Sequence, residues 1–268
     1  SHVDRSIHGP GAFVRTNVDG TFTLLEAARA HWSALPAGER EAFRFLHVST
    51  DEVYGSVEQG SSTEGDRLEP RSPYSASKAG GDLLVLSYWT TYRFPVVVTR
   101  GSNTYGPNQY PEKFIPLFAT NAIDGEPLPL YGDGRQCRDW LSVYDHAAGI
   151  QHVFEQGEPG TVYNVGGGNE RENITVAEQI VATLGKSRSL IRFVQDRPGH
   201  DRRYSIDCRR LRALGWSPQV PFEEGLKQTV EWYRTHESWW RTIKSGEFKD
   251  YYQQQYAKRL QQGTACGL

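Results

Sequence analysis

The chain has 268 residues, of which 37% are hydrophobic and 23% charged, and its formal net charge is −2. These proportions are typical of a globular protein with room for one large domain or two small ones. The near-neutral charge argues against nucleic-acid binding, no run approaches the ~20 apolar residues of a membrane span, and residues 1–5 lack the apolar region of a signal peptide.

The first part of the chain alternates helical and strand-like patterns. Residues 17–31 have apolar side chains at helical spacing, which predicts an amphipathic helix, and residues 32–41 follow as a polar connection. Residues 43–48 (FRFLHV) have the short apolar character of a buried strand. Residues 59–72 are polar and rich in turn-forming residues, so we expect a surface loop there.

A second helix and strand follow. Pro73 is favourable at the first position of a helix, and the pattern predicts a helix from there to Tyr92. Residues 95–100 (PVVVTR) form a short run rich in β-branched side chains, which is typical of a buried strand. Helices that alternate with apolar strands indicate βαβ units and a parallel sheet, so the predicted fold class is α/β.

Beyond Tyr105 the sequence is rich in Gly, Pro and aromatic residues. The pattern predicts one strand at residues 162–165 and four helices at residues 114–124, 145–155, 175–184 and 222–236. Thr175 lies near the expected N-cap of the third of these helices. From Tyr251 onward the chain is rich in Gln, and we expect this end to fray.

The three cysteines, Cys137, Cys208 and Cys266, are far apart and form no CxxC pair. This spacing argues against a disulfide framework and against a metal site, so no metal is predicted. Reduced cysteines are typical of cytosolic proteins, and we therefore predict a cytoplasmic location.

Tyr74 and Lys78 are four residues apart on the predicted helix at 73–92 and therefore share one face. A nearby ammonium group favours the phenolate, so we expect the pKa of Tyr74 to lie below its usual value of ~10. A lowered pKa would make Tyr74 a general base near neutral pH. The pair alone is weak evidence, because Tyr and Lys at this spacing also occur on solvated helix faces.

Thr50, Asp51 and Glu52 directly follow the predicted strand at 43–48. Ligand sites of parallel sheets lie beyond the carboxyl ends of the strands, and both carboxyl groups can face one substrate only if the chain leaves the strand at Asp51. Two neighbouring carboxyl groups in a partly dry cleft do not both ionise readily, so one would act as acid and the other as base. An ordinary turn capped by Asp and Glu is the alternative explanation.

Together and in this order, the segments 47–55 (HVSTDEVYG) and 73–79 (PYSASKA) resemble the extended short-chain dehydrogenases that act on nucleotide sugars. The Thr-Asp-Glu triplet resembles that of the dTDP-glucose 4,6-dehydratases in particular, and the resemblance extends from Ser1 to about Trp240. It implies a Rossmann-like parallel sheet with a smaller α/β substrate-binding domain, NAD as cofactor and a dTDP-sugar as substrate. It also implies a homodimer that pairs the helices at 17–31 and 73–92.

The resemblance also implies roles for individual residues. The implied catalytic residues are Thr50, Asp51, Glu52, Tyr74 and Lys78. The implied cofactor contacts are Tyr74, Lys78, Thr16 and Thr104, the last of which stands where the family often has Asn. The implied substrate contacts are Ser1, Thr50, Asn103, Lys113, Phe114, Pro129, Tyr131, Arg138, Asn173, Arg197, His200 and Tyr204. Arginine suits this role, since guanidinium groups bind phosphate oxygens in a bidentate manner.

A dinucleotide-binding fold normally opens with a strand and a glycine-rich turn that holds the pyrophosphate. The sequence has no such opening, and the cluster at 166–168 lacks the required spacing. We therefore expect an N-terminally truncated chain whose sheet lacks its first strands and which needs them for turnover. The expected domains are an NAD-binding part at 1–105 and 140–165, a nucleotide-sugar-binding part at 106–139 and 166–248, and a tail at 249–268.

Two alternatives stay open. One is a UDP-sugar epimerase or decarboxylase of the same fold. Asp51 argues against it, because such epimerases usually lack the acidic pair and such decarboxylases usually have Ser at this position. The other is an inactive nucleotide-sugar-binding fragment, which the missing glycine-rich opening favours.

Overall fold

The computed structural model describes residues 2–262. The strands in chain order are β1 (Phe45–Thr50), β2 (Val96–Gly101), β3 (Asn103–Tyr105), β4 (Leu128–Tyr131), β5 (Cys137–Ser142), β6 (Thr161–Val165), β7 (Glu170–Glu172) and β8 (Ile191–Val194). The α-helices are α1 (Val3–His8), α2 (Pro10–Val14), α3 (Gly20–Ala34), α4 (Ala37–Ala42), α5 (Pro73–Tyr92), α6 (Phe114–Asp124), α7 (Val143–Gln156), α8 (Asn173–Thr183), α9 (Arg209–Ala213), α10 (Phe222–Thr235), α11 (Glu237–Lys244) and α12 (Glu247–Gln262). A π-helical turn occupies Arg15–Asp19, and 3₁₀ turns occupy Asp51–Tyr54 and Arg188–Leu190.

The central sheet confirms the predicted α/β fold, because its strands pair in parallel in the order β1-β2-β6. Successive side chains of a strand point to opposite faces of the sheet. Val96 and Val98 accordingly pack with Val85 of α5 on one face. Val97 packs with Val153 of α7 on the other face. Helices thus cover both faces of the parallel sheet, as in Rossmann-like folds.

The remaining strands form two small sheets beside the central one, in the order β3-β5-β7 and as the pair β4-β8. α6, α8 and α10 contact one another and enclose a further apolar core, in which Phe118, Tyr233 and Trp240 are almost completely buried. This core is separate from the two clusters on the central sheet. The division into two domains at the boundaries given above stays a prediction.

Two helices have the predicted bounds, and their ends explain why. α5 begins at Pro73 after a capping box, in which Ser72 and Ser75 each accept from the backbone N–H of the other. It ends at Arg93, whose left-handed backbone (φ 53°) redirects the chain towards β2. α6 ends at Gly125, which adopts the left-handed region (φ 74°) without a clash because it has no Cβ.

Other elements differ from the prediction at their ends. The predicted helix at 17–31 begins with the π-helical turn and continues to Ala34. Four short helices, α1, α2, α4 and α9, were not predicted, because five or six residues are too few to show a helical period. α8 begins at Asn173, two residues before the predicted start, with Glu172 as its N-cap residue, so Thr175 lies in the first turn.

The predicted fraying from Tyr251 onward is wrong as far as residue 262, because this stretch belongs to α12. Phe248, Tyr251 and Tyr256 are buried in the core formed by α6, α8 and α10, whereas Gln254 is exposed. Gln253, Gln254 and Gln261 therefore lie on the solvent-facing side of the helix, whereas Gln255 is buried on its inner side. Burial of its aromatic side chains removes apolar surface from water and holds the helix in place. Residues 263–268 and Ser1 lie outside the described part.

Candidate active site

The Thr50-Asp51-Glu52 segment is positioned by the end of β1. Thr50 is extended (φ −142°, ψ 151°), and its side chain accepts from the backbone N–H of Glu52 at 3.3 Å. The same hydroxyl donates to Asp51 Oδ1 at 3.3 Å. The chain therefore leaves the strand at Asp51 and enters a 3₁₀ turn, which is the geometry that two carboxyl groups need in order to face one cavity.

The first turn of α5 brings Tyr74 to the same place. Its backbone N–H donates to Ser6 Oγ at 3.1 Å, and its phenol is hydrogen-bonded to the side chain of Thr50. One turn further on, Lys78 Nζ donates to the backbone carbonyl of Val48 in β1 at 2.7 Å. The lysine thus anchors the helix to the strand that leads into the acidic pair.

A cavity of about 330 Å³ opens where these groups meet, at the carboxyl ends of β1 and β2. Among the predicted site residues, it is lined by Thr50, Asp51, Glu52, Tyr74, Asn103, Thr104, Lys113 and Phe114. Its position beyond the carboxyl ends of parallel strands is where such sheets bind ligands. The structure therefore brings the predicted acid–base residues together around one space.

The two carboxyl groups differ in their electrostatic surroundings. Burial, followed by the charges of Glu52 and Asp139, raises the pKa of Asp51 well above its usual value. Burial also raises the pKa of Glu52, but the cations Arg197 and Lys113 oppose the rise. Asp51 is therefore the group that holds a proton more readily, and Glu52 the one that stays ionised more readily.

The pKa of Tyr74 moves in the direction opposite to the one predicted from the sequence. Burial, followed by the charges of Glu52 and Asp51, raises it, and the contact with the Thr50 side chain offsets only part of the rise. Lys78 is not among the groups that shift this pKa, and its ammonium is engaged by the carbonyl of Val48. The prediction of a lowered pKa was thus wrong, because it took account of the lysine and not of burial and the two carboxylates.

A second, smaller cavity of about 150 Å³ adjoins the first. The two share the lining residues Glu52, Asn103, Lys113, Phe114 and Trp140. The smaller cavity adds predicted site residues from the neighbouring sheets and loops, namely Pro129, Tyr131, Arg138, Asn173, Arg197 and His200. The two cavities therefore form one continuous cleft with an acidic end and a basic end.

The arginines of the basic end are held by neighbouring groups. Arg138 donates to the backbone carbonyls of Cys137 at 2.7 Å and Asp201 at 2.9 Å, and its guanidinium lies 4.2 Å from the ring centre of Tyr204. Arg197 pairs with Asp4 of α1 at 3.3 Å. Tyr204 lines neither cavity, so its contribution to the cleft is to support Arg138.

Not every predicted site residue lies in the cleft. Thr16 is exposed on the π-helical turn and lines neither cavity, and Lys78, which acts behind the cavity wall, does not line them either. Ser1 lies outside the described residues. The prediction missed other lining residues, namely His2, Val3, Asp4, Ser49, Gly101, Ser102, Leu117, Phe118, His146 and Tyr256.

Some of the missed residues had a signal in the sequence. Asp4 lies close to the predicted contact Ser1, and Ser49 directly precedes the predicted Thr50. Tyr256 had none, because its segment was predicted to fray. His146 was hidden within the predicted helix at 145–155, and its place in the cavity wall depends on how α7 packs against Gly101.

A chain of buried polar groups joins α5 to the sheet beneath the cleft. Asp82 is fully buried, accepts from Arg100 Nε at 2.9 Å and lies 3.3 Å from His47 Nε2. Arg100 also donates to the hydroxyl of Tyr54 at 2.9 Å. That hydroxyl donates to Asn164 Oδ1 at 2.8 Å. The network connects α5 to β1, β2 and β6 beneath the cleft that Tyr74 lines.

Asp82→Asn is expected to lower the free energy of unfolding by about 3 kcal/mol, because it leaves the buried guanidinium of Arg100 without its counter-charge. Urea unfolding followed by circular dichroism measures the loss. Asp19→Asn, at an exposed acidic residue, serves as the control and should change stability by less than about 0.5 kcal/mol. A loss below about 1 kcal/mol for Asp82→Asn would show that the network does not hold the helix.

Within residues 2–262, no group of three or more His, Cys, Asp and Glu is arranged to hold a metal ion. In the same residues, no helix is both long and apolar enough to cross a membrane. Cys137 and Cys208 are free thiols.

In sequence, the chain is similar to nucleotide-sugar 4,6-dehydratases. Residues 1–229 match the family model described as GDP-mannose 4,6 dehydratase. The dTDP-glucose 4,6-dehydratase of Xanthomonas campestris pv. campestris (strain ATCC 33913) is 54% identical over an alignment of 260 positions that covers 93% of this chain and 74% of that protein. The dTDP-glucose 4,6-dehydratase 1 of Escherichia coli K12 is 48% identical over an alignment of 277 positions, gaps included, that covers 97% of this chain and 77% of that protein.

Solved structures agree. DesIV, a dTDP-glucose 4,6-dehydratase from Streptomyces venezuelae crystallised with NAD and TYD bound, matches with a TM-score of 0.84 at 49% identity, over 91% of this chain and 73% of that chain. A UDP-glucose 4-epimerase from Thermus thermophilus, in complex with NAD, matches with a TM-score of 0.80 at 30% identity, over 88% of this chain and 75% of that chain. The fold is thus common to both kinds of enzyme, while the sequence is more similar to the dehydratases.

Proposed function

The chain belongs to the family described by the GDP-mannose 4,6 dehydratase model, and we propose that it acts as a dTDP-glucose 4,6-dehydratase that forms dTDP-4-keto-6-deoxyglucose. The observation that carries this proposal is the Asp51–Glu52 pair, of which Asp51 is buried and Glu52 half-buried, and which faces the same cavity as Tyr74. The similarity to dTDP-glucose 4,6-dehydratases at 48–54% identity supports the choice of substrate. Elimination of water needs both an acid and a base, and this pair supplies them.

The larger cavity fits the nicotinamide end of NAD, which supplies reversible hydride transfer when bound and ends the reaction in its starting form. Among the described residues, His146 Nε2 and Asn103 Oδ1 are buried acceptor atoms without a hydrogen-bond partner, as an amide N–H ligand would require. Burial lowers the pKa of His146 to about 4, so its ring is neutral and can accept. Its Nδ1 meets the hydroxyl of Thr104 at 2.6 Å, which fixes the ring.

Gly101 is required at this place. A Cβ on residue 101 would lie 2.5 Å from His146 Nε2, so any side chain there would displace the imidazole from the cavity wall. We propose that Tyr74, Lys78 and Thr104 hold the nicotinamide end of the cofactor. Thr16 is proposed as a more distant contact of the same cofactor, in line with the family resemblance.

Oxidation at C4 of the sugar requires removal of its hydroxyl proton. We propose that Tyr74 accepts this proton, and that Thr50 is a second hydrogen-bond partner of the same sugar hydroxyl. Because burial and the carboxylates raise the pKa of Tyr74 and favour the neutral phenol, proton transfer needs a stabilising cation, and Lys78 is the ammonium that the same helix face provides. The ketone that results at C4 makes the C5 proton acidic.

Elimination then uses the acidic pair. Glu52 takes the C5 proton, and Asp51 donates a proton to the departing C6 hydroxyl, so that one water leaves and a C5–C6 double bond forms. The assignment follows from the surroundings, because Asp51 has the more strongly raised pKa and Glu52 faces Arg197 and Lys113. Protonation at C5 and reduction at C6 complete the 4-keto-6-deoxy sugar.

The basic end of the cleft suits the nucleoside diphosphate. We propose that Arg138, Arg197 and Asn173 bind the phosphate oxygens, because guanidinium and amide groups donate to them directly. Pro129 and Tyr131 then flank the base, while Lys113 and Phe114 lie between the two cavities and contact the sugar. His200 supports this end through its Nδ1, which lies 2.6 Å from Asp196 Oδ1. Tyr204 supports it through its ring, which packs against the guanidinium of Arg138.

The decisive experiment supplies the chain with NAD and either dTDP-glucose or UDP-glucose in D₂O and analyses the products by mass spectrometry. We expect dTDP-glucose to lose one water and to gain one deuterium at C5, because Glu52 exchanges its proton with solvent. Conversion of UDP-glucose to a C4 epimer without loss of water would instead support the sibling epimerase. Binding of dTDP without binding of NAD, and without turnover, would support the inactive fragment.

We further propose a homodimer through the helices at 17–31 and 73–92. Phe22, Leu24 and Leu83 support it, since these large apolar side chains are 50–63% exposed on those helices. A cytoplasmic location is likewise a proposal, supported by the free thiols of Cys137 and Cys208.

A further inference from the structure

The hydroxyl of Tyr131, at the end of β4, is the meeting point of three distant parts of the chain. It donates to Asp4 Oδ2 of α1 at 3.0 Å. It accepts from Gln255 Nε2 at 2.7 Å and from the guanidinium of Arg259 at 3.0 Å, both on α12. A phenol hydroxyl has one donor and two acceptor positions, so these three bonds use all of them.

This saturation determines what Tyr131 can offer to a ligand. Its oxygen has no capacity left, so a ligand in the smaller cavity meets the aromatic ring. The guanidinium of Arg259 lies 5.3 Å from the centre of that ring, and Tyr256 from the same helix lines the cavity beside it. α12 therefore builds one wall of the nucleotide end of the cleft and fixes the orientation of the ring in it.

α12 is tied to α1 as well as to β4. Gln255 Oε1 lies 3.0 Å from His8 Nε2, so this one side chain bridges the two elements. Tyr251 packs against the ring of His2 at 5.5 Å, and the guanidinium of Arg5 lies 4.7 Å from its ring centre. The helix is therefore held by polar and aromatic contacts on the side that faces the cleft.

The same contacts connect the base end of the cleft to its phosphate end. Asp4 accepts from Tyr131 through Oδ2 and pairs with Arg197 through Oδ1 at 3.3 Å. Gln255 and Arg259 thus belong to one continuous series of bonds that reaches Arg197. A change on α12 is expected to reach both the aromatic ring and the guanidinium that the ligand meets.

We propose that α12 is a clasp for the nucleoside diphosphate, with Gln255 and Arg259 as positioning residues that orient Tyr131 against the base. The inference rests on the proposed function, because it presumes that a nucleoside diphosphate occupies the smaller cavity. It adds a role for a helix outside residues 1–229, where the family model matches. The reacting groups lie in the larger cavity, so the clasp acts on binding rather than on the chemical step.

The test measures binding of dTDP by calorimetry to the whole chain and to a Gln255→Ala/Arg259→Ala double variant. We expect dTDP to bind about tenfold more weakly to the variant, since two hydrogen bonds that orient the ring are lost. The matched control is Gln254→Ala/Lys258→Ala, at the adjacent exposed positions of the same helix, and should bind within about twofold of the unsubstituted chain. In steady-state rates, the weaker binding should appear as a higher KM for dTDP-glucose, with kcat unchanged.

Tyr131→Phe provides a second route that does not alter the helix. It removes the shared oxygen and keeps the ring, so it should weaken dTDP binding to a similar extent. Combined with the double variant, it should cause little further loss, because both remove the same bonds. If the double variant does not fold, unchanged affinity in Tyr131→Phe overturns the clasp on its own.

The outcomes separate the clasp from the function on which it rests. No binding of dTDP to the unsubstituted chain would overturn the nucleotide site and the clasp together. Tight binding by the unsubstituted chain with equal affinity in the double variant would overturn the clasp alone. A matching loss in the control variant would show a general effect of α12 on stability and would also refute the specific role of Gln255 and Arg259.

Discussion

Tyr74→Phe is expected to lower kcat for dTDP-glucose by about 10³-fold, because it removes the group that accepts the C4 hydroxyl proton. The ring volume is retained, and the edge contact with Phe13 at 6.1 Å between ring centres does not involve the hydroxyl. The fold and the binding of dTDP should therefore be unchanged. Initial rates, together with calorimetric binding of dTDP, measure the two effects separately.

The control for this variant is Tyr92→Phe, at the far end of the same helix, where the side chain is 46% exposed. It should leave kcat and KM unchanged. A fall of less than about tenfold for Tyr74→Phe would mean that another group removes the proton. Because burial and the carboxylates raise the pKa of Tyr74, that result would point to Thr50 and a water molecule as the route for the proton.

Asp51→Asn is expected to slow elimination by about 10²-fold while affecting the initial oxidation much less. The amide keeps the size of the side chain and its contact with Thr50, but it cannot donate a proton to the leaving C6 hydroxyl. Mass spectrometry of rapidly quenched mixtures should therefore show accumulation of the 4-keto sugar that still carries its C6 hydroxyl. Equal slowing of both steps would show that Asp51 is not the acid.

The same variant has a predicted effect on stability, and its sign follows from the raised pKa of Asp51. A carboxyl group whose pKa is raised in the folded state supports folding at low pH and loses that contribution as the pH rises through the raised value. Asp51→Asn has no such titration. Its urea midpoint should therefore exceed that of the unsubstituted chain at neutral pH, and the difference should shrink as the pH falls towards about 3.9.

Asp66→Asn, in the loop between β1 and α5, is the control for both measurements, because its side chain is exposed. It should leave unchanged both the relative rates of oxidation and elimination and the pH dependence of the urea midpoint. A neutral-pH midpoint for Asp51→Asn below that of the unsubstituted chain would contradict the picture of a carboxyl group that is costly to ionise. The activity and stability measurements thus examine the same property of Asp51 by independent means.

The sequence predicted the elements that depend on short-range signals. α5 was predicted with its observed bounds because Pro73 marks its first turn, and α6 because its apolar pattern is long and regular. The parallel sheet followed from the alternation of helices with β-branched strands. The short helices before α3 were missed, because their few residues show no period and tertiary contacts hold them.

The residue types needed for the chemistry were also determined by the sequence alone: a Thr-Asp-Glu triplet after a strand, and a Tyr and a Lys four apart on a helix. What these residues do depends on their surroundings, and only the tertiary structure decided that. Packing surrounds Asp51 with carboxylates and Glu52 with cations, which separates acid from base. Packing also raises the pKa of Tyr74 and places α12 against Tyr131. The physical reason is that motifs and helix signals are local in the chain, whereas desolvation and charge interactions arise from groups that only folding brings together.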